Sequence, residues 1–195
     1  MIWTRCTANT VVCACRTDRA EDHRRFYRQY YGGARVTRIA ILGNAGSGKS
    51  ALARSLAGED IVVLDLDTIA WEPKSGAILR PRYAAISKLE RFCSSHADWI
   101  VEGCYGDLIE AVLPWELELI LLHPREEVYL RNCRNRSREP YKCLSKTEQD
   151  ANLDTLLAWV SAYCTCGGSM SFIGHRAIFD RYDGPKRELN ALPCG

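Results

Sequence analysis

The chain has 195 residues, 47% hydrophobic and 26% charged, which is typical of a globular protein with one domain of ordinary size. Its net charge of +2 is too small to indicate a nucleic-acid or membrane partner, and no apolar run approaches the roughly 18 residues of a membrane span. The first residues lack the apolar segment of a signal peptide. We therefore expect a cytoplasmic protein whose ten cysteines are free thiols.

The charge is concentrated at the amino end of the chain. Residues 1–36 contain seven arginines and three acidic residues and show neither a helical nor a strand period. We predict a basic tail there, disordered or weakly helical, and a folded domain over residues 37–195. Whether the tail is a native extension, a targeting segment or sequence upstream of the true start stays open, and it is the one segment that would suit a nucleic acid.

From residue 37, strand and helix patterns alternate. The sequence predicts strands over 37–42, 61–67, 99–103 and 117–123, and helices over 49–57, 82–96, 125–139 and 145–163. A further helix is predicted over 171–183, ended by Gly184 and Pro185, and no clear fifth strand is seen before residues 182–189. The alternation predicts an α/β fold of three layers, with a mostly parallel sheet of four to five strands.

The loop after the first strand, GNAGSGKS, matches the phosphate-binding pattern G-x-x-x-x-G-K-[ST], also called Walker A, at every fixed position. Small residues let successive backbone N–H groups point at phosphate oxygens, and the next helix directs its positive end there. Lys49 is expected to reach the β- and γ-phosphates, and Ser50 to offer its hydroxyl to Mg²⁺. The predicted nucleotide-binding residues are Gly43, Asn44, Ala45, Gly46, Ser47, Gly48, Lys49, Ser50 and Ala51.

Three further features separate P-loop kinases from switches and motors. The chain is short, it lacks the N-K-x-D guanine motif, and its fourth strand ends in His-Pro instead of the acidic residues of motors. The segments VVLDLDTIAWEP and WIVEGCYGDLIE, with an arginine cluster after the fourth strand, resemble the adenylate-kinase and shikimate-kinase-like group of small P-loop kinases. Within it, they are similar to the "topology modulation" P-loop ATPases. The resemblance spans residues 37–189.

This resemblance implies roles for three acidic residues at strand ends. Asp65 is expected on the Mg²⁺ side and Asp67 at the acceptor, as its base, although either could instead cap the following helix. Glu102 ends the third strand, which lies beside the P-loop strand in this group, and is expected to hold Mg²⁺ through water. The predicted metal residues are Ser50, Asp65 and Glu102.

The resemblance also implies an acceptor pocket and a lid. Trp71 and Tyr105 would be walls of the acceptor pocket, with ordinary core packing as the alternative for each. Cations are needed on a transferring phosphoryl group, and arginines follow the fourth strand, with a lid candidate over residues 131–150. The predicted catalytic residues are Lys49, Asp67, Arg131, Arg134 and Arg136.

The sequence thus predicts an ATP- and Mg²⁺-dependent small-molecule kinase that transfers the γ-phosphoryl to a small acceptor bearing a hydroxyl or a phosphate. The loop after the third strand reads EGCYGD and lacks the glycine run of shikimate kinases, which argues against shikimate itself. The alternative is a P-loop ATPase or nucleotide-dependent regulator that acts on a protein or nucleic-acid partner. The sequence does not determine the oligomeric state.

Overall fold

The computed structural model describes residues 36–72, 78–135 and 145–192. The predictions for residues 1–35 of the tail, for Arg136 and for residues 136–144 of the lid candidate therefore lie outside the described residues. The strands are β1 (Arg38–Gly43), β2 (Val62–Asp65), β3 (Trp99–Gly103), β4 (Glu118–Leu122) and β5 (Lys186–Leu189). The helices are α1 (Lys49–Ala57), α2 (Asp67–Ala70), α3 (Arg82–Ser95), α4 (Gly106–Val112), α5 (Glu126–Arg134), α6 (Lys146–Ala151), α7 (Leu153–Ser161) and α8 (Phe172–Arg181).

The five strands form one sheet, in the order β2-β3-β1-β4-β5, and every neighbouring pair is parallel. β1, which leads into the phosphate loop, lies at the centre between β3 and β4. In an open parallel sheet, ligands bind beyond the carboxyl ends of the strands. The P-loop and the ends of β2 and β3 therefore meet at one edge of the sheet.

Helices cover both faces of the sheet, as the alternating pattern predicts. Apolar side chains of α3, α4 and α8 pack against one face, around Leu42 and Leu119. Side chains of α1 pack against the other face, around Ile41 and Ile120. Because successive strand residues point to opposite faces, β1 and β4 contribute to both cores. The architecture is the predicted three-layer α/β fold.

A third, smaller cluster lies beside the phosphate loop. It is built from buried side chains of α5, α7 and the 3₁₀ turn Ala162–Cys164, with Phe172 of α8 packed against it. Its buried members are Tyr129, Cys133, Val160 and Tyr163. Helices α5 and α7 are therefore anchored in an apolar cluster next to the P-loop.

The carboxyl-terminal prediction is wrong in one respect. Helix α8 ends at Arg181, and residues 186–189 form a fifth strand that the sequence pattern did not predict. These residues, KREL, alternate exposed and partly buried positions at the edge of the sheet, and so lack the apolar run that marks a central strand. The predicted helix over 145–163 is also divided at Asn152 into α6 and α7. In the described residues, no helix is both long and apolar enough to cross a membrane.

Candidate functional site

The phosphate loop connects β1 to α1 and depends on glycine at two places. Gly46 and Gly48 have φ angles of 76° and 99°, a left-handed region that disfavours other residues. A methyl group added at Gly46 would lie 2.5 Å from the carbonyl oxygen of Tyr129 and 2.8 Å from Cys133 Sγ. The loop therefore needs glycine at Gly46 for its backbone conformation and for its close contact with α5.

Lys49 and Ser50 begin α1 at the end of this loop. The Lys49 side chain is only 8% exposed, and its Nζ donates a hydrogen bond to the Asn44 carbonyl oxygen at 2.9 Å. The ammonium group thus lies within the curve of the loop, at the amino end of the helix. Both the positive charge and the helix amino end favour an anion at this place.

Glu102 is a buried carboxyl group on β3, 3% exposed, directly beside the P-loop strand. Burial raises the pKa of Glu102 above its ordinary value, the charge of Lys49 lowers it, and the neighbouring Asp65 raises it. The Ser50 hydroxyl is close enough to this carboxyl group to lower its pKa. Asp65 of β2 is the register partner of Glu102. The predicted metal residues therefore converge at one point, next to Lys49.

These oxygen ligands fit Mg²⁺. Mg²⁺ prefers oxygen ligands, retains several waters, and is usually held by one or two carboxylates together with substrate phosphates. Within residues 36–72, 78–135 and 145–192, no group of three or more His, Cys, Asp or Glu side chains is arranged to hold a metal alone. Ser50, Asp65 and Glu102 are the residues that could hold such an ion together with phosphate oxygens.

Asp67 starts α2, two residues after Asp65, and is fixed by its neighbours. Its backbone N–H donates to Asp65 Oδ1 at 2.9 Å, so Asp65 also stabilises the start of the helix. The Tyr105 hydroxyl donates to Asp67 Oδ1 at 2.5 Å, and the Trp71 indole N–H donates to the Tyr105 hydroxyl oxygen at 2.7 Å. Tyr105 and Trp71, predicted as pocket walls, are thus connected to Asp67 through their polar atoms.

Two asparagines connect the P-loop to the helices around it, a feature that the sequence analysis missed. The Asn44 side chain is fully buried and donates to the carbonyl oxygen of Val160 in α7 at 3.0 Å. The Asn132 side chain in α5 donates to the Gly46 carbonyl oxygen at 2.8 Å. Each bond joins residues more than 80 positions apart along the chain, so no local pattern indicates them.

Arg131 and Arg134 are exposed on α5. The side of α5 that packs on the P-loop carries Tyr129 and Cys133. With 3.6 residues per turn, positions 131 and 134 lie on the opposite side of the helix. The structure does not bring these two arginines to the P-loop, and their contact with a phosphoryl group stays a prediction.

The buried His175 ring also connects distant segments, because each of its two nitrogens forms a hydrogen bond. The ring is fully buried; its Nε2 donates to the Cys104 carbonyl oxygen at 2.9 Å, and its Nδ1 accepts from the Tyr163 hydroxyl at 2.7 Å. Burial lowers the pKa of His175 to about 4. The neutral ring therefore joins α8 and the Tyr163 turn to the β3–α4 loop, immediately before Tyr105.

Solved structures similar to this chain include small-molecule kinases. A gluconokinase from Sinorhizobium meliloti is 17% identical, with a TM-score of 0.45 over 81% of this chain and 85% of that one. A shikimate kinase from Bacteroides thetaiotaomicron is 18% identical, with a TM-score of 0.48 over 81% of this chain and 89% of the other. A shikimate kinase from Acinetobacter baumannii, in complex with shikimate, is 20% identical, with a TM-score of 0.40 over 73% and 91%.

These similarities are too distant to assign a function to this chain. No protein-family model matches it, and no curated protein matches it either. The site itself consists of a phosphate loop, a buried carboxyl group beside it, and a hydrogen-bonded aspartate at the adjacent strand end.

Proposed function

We propose that the protein is a phosphotransferase that moves the γ-phosphoryl group of Mg·ATP to a small acceptor bearing a hydroxyl or a phosphate. The observation that carries this proposal is the meeting of Lys49, Ser50 and Glu102 with Asp65 and Asp67 at one edge of the sheet. A phosphate cradle alone suits any nucleotide-binding protein. An aspartate at the adjacent strand end adds a carboxylate that could accept the proton of a hydroxyl acceptor.

The nucleotide and its metal have separate places in this proposal. The backbone N–H groups of residues 43–51 would hold the β- and γ-phosphates, with Lys49 neutralising charge on the group in transfer. Ser50, Asp65 and Glu102 would hold Mg²⁺, which when bound neutralises charge that develops on the phosphate oxygens. This role is supported by the burial of Glu102 and by its position near Ser50 and beside Asp65.

Asp67 would receive the acceptor. The acceptor oxygen forms a bond to the γ-phosphorus, the bond between that phosphorus and the β–γ bridging oxygen breaks, and ADP leaves. For a hydroxyl acceptor, the proton lost from the hydroxyl goes to the Asp67 carboxylate and then to solvent. General-base residues of this type act when they are within hydrogen-bonding reach of the proton they remove.

The geometry favours an alcohol over a phosphate as the acceptor. An ionised carboxylate only accepts hydrogen bonds, which suits a hydroxyl that donates one. Asp65 and Asp67 both raise the pKa of Glu102, so the three carboxyl groups share one small region. A phosphate dianion that approached this region would meet like charges, with Lys49 already engaged by the nucleotide.

The replacement Lys49→Ala tests nucleotide use. We expect Mg·ATP turnover to fall by about 100-fold or more, because charge stabilisation of the transferring group is lost. Mg·ATP affinity should fall as well, measured by isothermal titration calorimetry. Lys88→Ala is the matched control, since Lys88 is exposed on α3 and should bind and turn over Mg·ATP as the wild type does.

Unchanged affinity and turnover in the Lys49→Ala protein would contradict the proposed use of the P-loop. Turnover that is lost in Lys49→Ala, but that depends in the wild type on DNA or a protein partner instead of a small acceptor, would support the regulatory ATPase. The two functions therefore give different results with the same pair of proteins.

A further inference from the structure

A hydrogen-bond chain runs from Trp71 through Tyr105 to Asp67, and it goes beyond the pocket-wall role that the sequence predicts for the two aromatic residues. We propose that Tyr105, held by Trp71, is a positioning residue that orients the Asp67 carboxylate toward the phosphoryl acceptor. This inference rests on the proposed function, because it assigns a partner to the residue that receives the acceptor. It concerns the hydroxyl of Tyr105 and not only its ring.

The chemistry of the three groups sets the direction of the chain. An indole N–H can only donate, an ionised carboxylate can only accept, and a phenol hydroxyl can donate one proton. Trp71 donates to the Tyr105 oxygen at 2.7 Å, and Tyr105 donates to Asp67 Oδ1 at 2.5 Å. Because the Tyr105 oxygen accepts a hydrogen bond from Trp71, the proton of the Tyr105 hydroxyl is directed at Asp67.

Burial holds this chain of hydrogen bonds in place. Tyr105 is 7% exposed, and its buried position together with the nearby Asp67 raises its pKa, so the hydroxyl keeps its proton. A buried phenol of this kind almost always has a hydrogen-bond partner. Here the partner is Asp67, the residue on which the proposed reaction depends, 38 positions away along the chain.

The loop that carries Tyr105 is itself anchored. The Gly106 N–H donates to the Ser169 carbonyl oxygen at 3.1 Å, and the His175 ring donates to the Cys104 carbonyl oxygen at 2.9 Å. The residues before and after Tyr105 are therefore both held to the segment that enters α8 and to α8 itself. A charged carboxylate held by a fixed donor keeps one orientation, which a transfer reaction requires to within a fraction of an ångström.

Removal of one hydroxyl tests the positioning role. We expect Tyr105→Phe, which keeps the ring, to lower kcat about 10- to 100-fold, since a hydrogen bond to a charged group is lost. The KM for Mg·ATP should not change. The activity is ADP release by the full chain with Mg·ATP and whichever of glycerol, ribitol, D-ribose, D-glucose or D-gluconate gives the highest rate.

A double-mutant cycle separates positioning from packing. If Trp71 acts through the Tyr105 hydroxyl, Trp71→Phe should lower kcat severalfold in the wild type and less than about twofold in the Tyr105→Phe protein. Two independent packing roles would instead give losses that multiply. Tyr182→Phe is the matched control, because the Tyr182 hydroxyl donates to the Leu117 carbonyl oxygen before β4, at the opposite end of the sheet.

The experiments distinguish failure of the positioning role from failure of the proposed function. A kcat in Tyr105→Phe equal to that of the wild type overturns the positioning role and leaves the proposed kinase intact. Multiplying losses in the cycle also overturn it, because they show separate packing contributions. If wild-type ADP release responds neither to any of these alcohols nor to a nucleoside monophosphate, the proposed function fails, and the positioning role fails with it.

Discussion

At the scale of single residues, the site depends on groups that are buried but paired. Lys49, Glu102 and His175 are each at most 8% exposed, and an isolated charge would be costly there. Lys49 donates to a loop carbonyl oxygen, and His175 stays neutral between a tyrosine and a carbonyl oxygen. Glu102 lies near the Lys49 charge and the Ser50 hydroxyl, both of which lower its pKa. The same burial fixes the geometry of the site.

His175 makes the free energy of unfolding depend on pH between about pH 4 and pH 6.5. Its pKa in the folded protein is about 4 against an ordinary value of 6.5, so the unfolded chain binds a proton between these values that the folded chain does not. Its contribution is complete above pH 6.5 and is lost as the pH falls toward 4. Over the 2.5 pH units between these values, the contribution is about 3 kcal/mol.

The replacement His175→Gln should remove this contribution to the pH dependence. We expect the variant to be less stable than the wild type at pH 7, because the two hydrogen bonds of His175 are disturbed. The difference in the free energy of unfolding should narrow by about 2 kcal/mol between pH 7 and pH 5. Urea unfolding at both pH values measures it, and a difference that does not vary with pH would contradict the assignment of a neutral, buried His175.

At the scale of elements, the P-loop is held by the helices that flank it as well as by the sheet. α5 contacts Gly46 through the Tyr129 carbonyl group and the Asn132 side chain, and α7 receives the Asn44 side chain. A loop whose N–H groups are already oriented binds phosphate with less loss of conformational freedom. We therefore expect α5 and α7 to contribute to nucleotide binding, whereas the contact of Arg131 and Arg134 with a phosphoryl group stays a prediction.

The replacement Asn132→Ala tests this contribution. We expect the Kd for Mg·ATP to rise about three- to tenfold, the effect of one neutral hydrogen bond, with little change in melting temperature. Isothermal titration calorimetry of the variant measures it. Glu127→Ala is the control on the same helix, since Glu127 is exposed and should leave the affinity unchanged. Equal affinities of both variants and the wild type would show that α5 does not hold the loop.

Elements with a strong local pattern were predictable from the sequence. The strand over 99–103 and the phosphate loop were predicted at their observed positions, because an apolar run and a glycine pattern are local signals. β5 was missed because an edge strand with alternating charged residues has no such signal. The contacts of Asn132 with Gly46 and of Tyr105 with Asp67 join distant segments, and only the fold brings them together.

At the scale of the whole molecule, the sheet order explains how the site is assembled. β1 is central, with β3 and then β2 on one side, so the P-loop, Glu102 and Asp65 lie along one edge in that order. Helices cover both faces of the sheet, which leaves the carboxyl edge as the place for a ligand. The nucleotide would lie over β1, and the acceptor beyond β3 and β2.

The measurement that tests the central claim most directly is ADP release from Mg·ATP by the purified full chain. The additions are the five alcohols named above, a set of nucleoside monophosphates, and DNA as a separate addition. The account predicts that one alcohol accelerates ADP release and yields one phosphorylated product for each ADP. Slow hydrolysis that no small molecule changes, but that DNA or a protein fraction stimulates, would contradict the account and favour a regulatory ATPase.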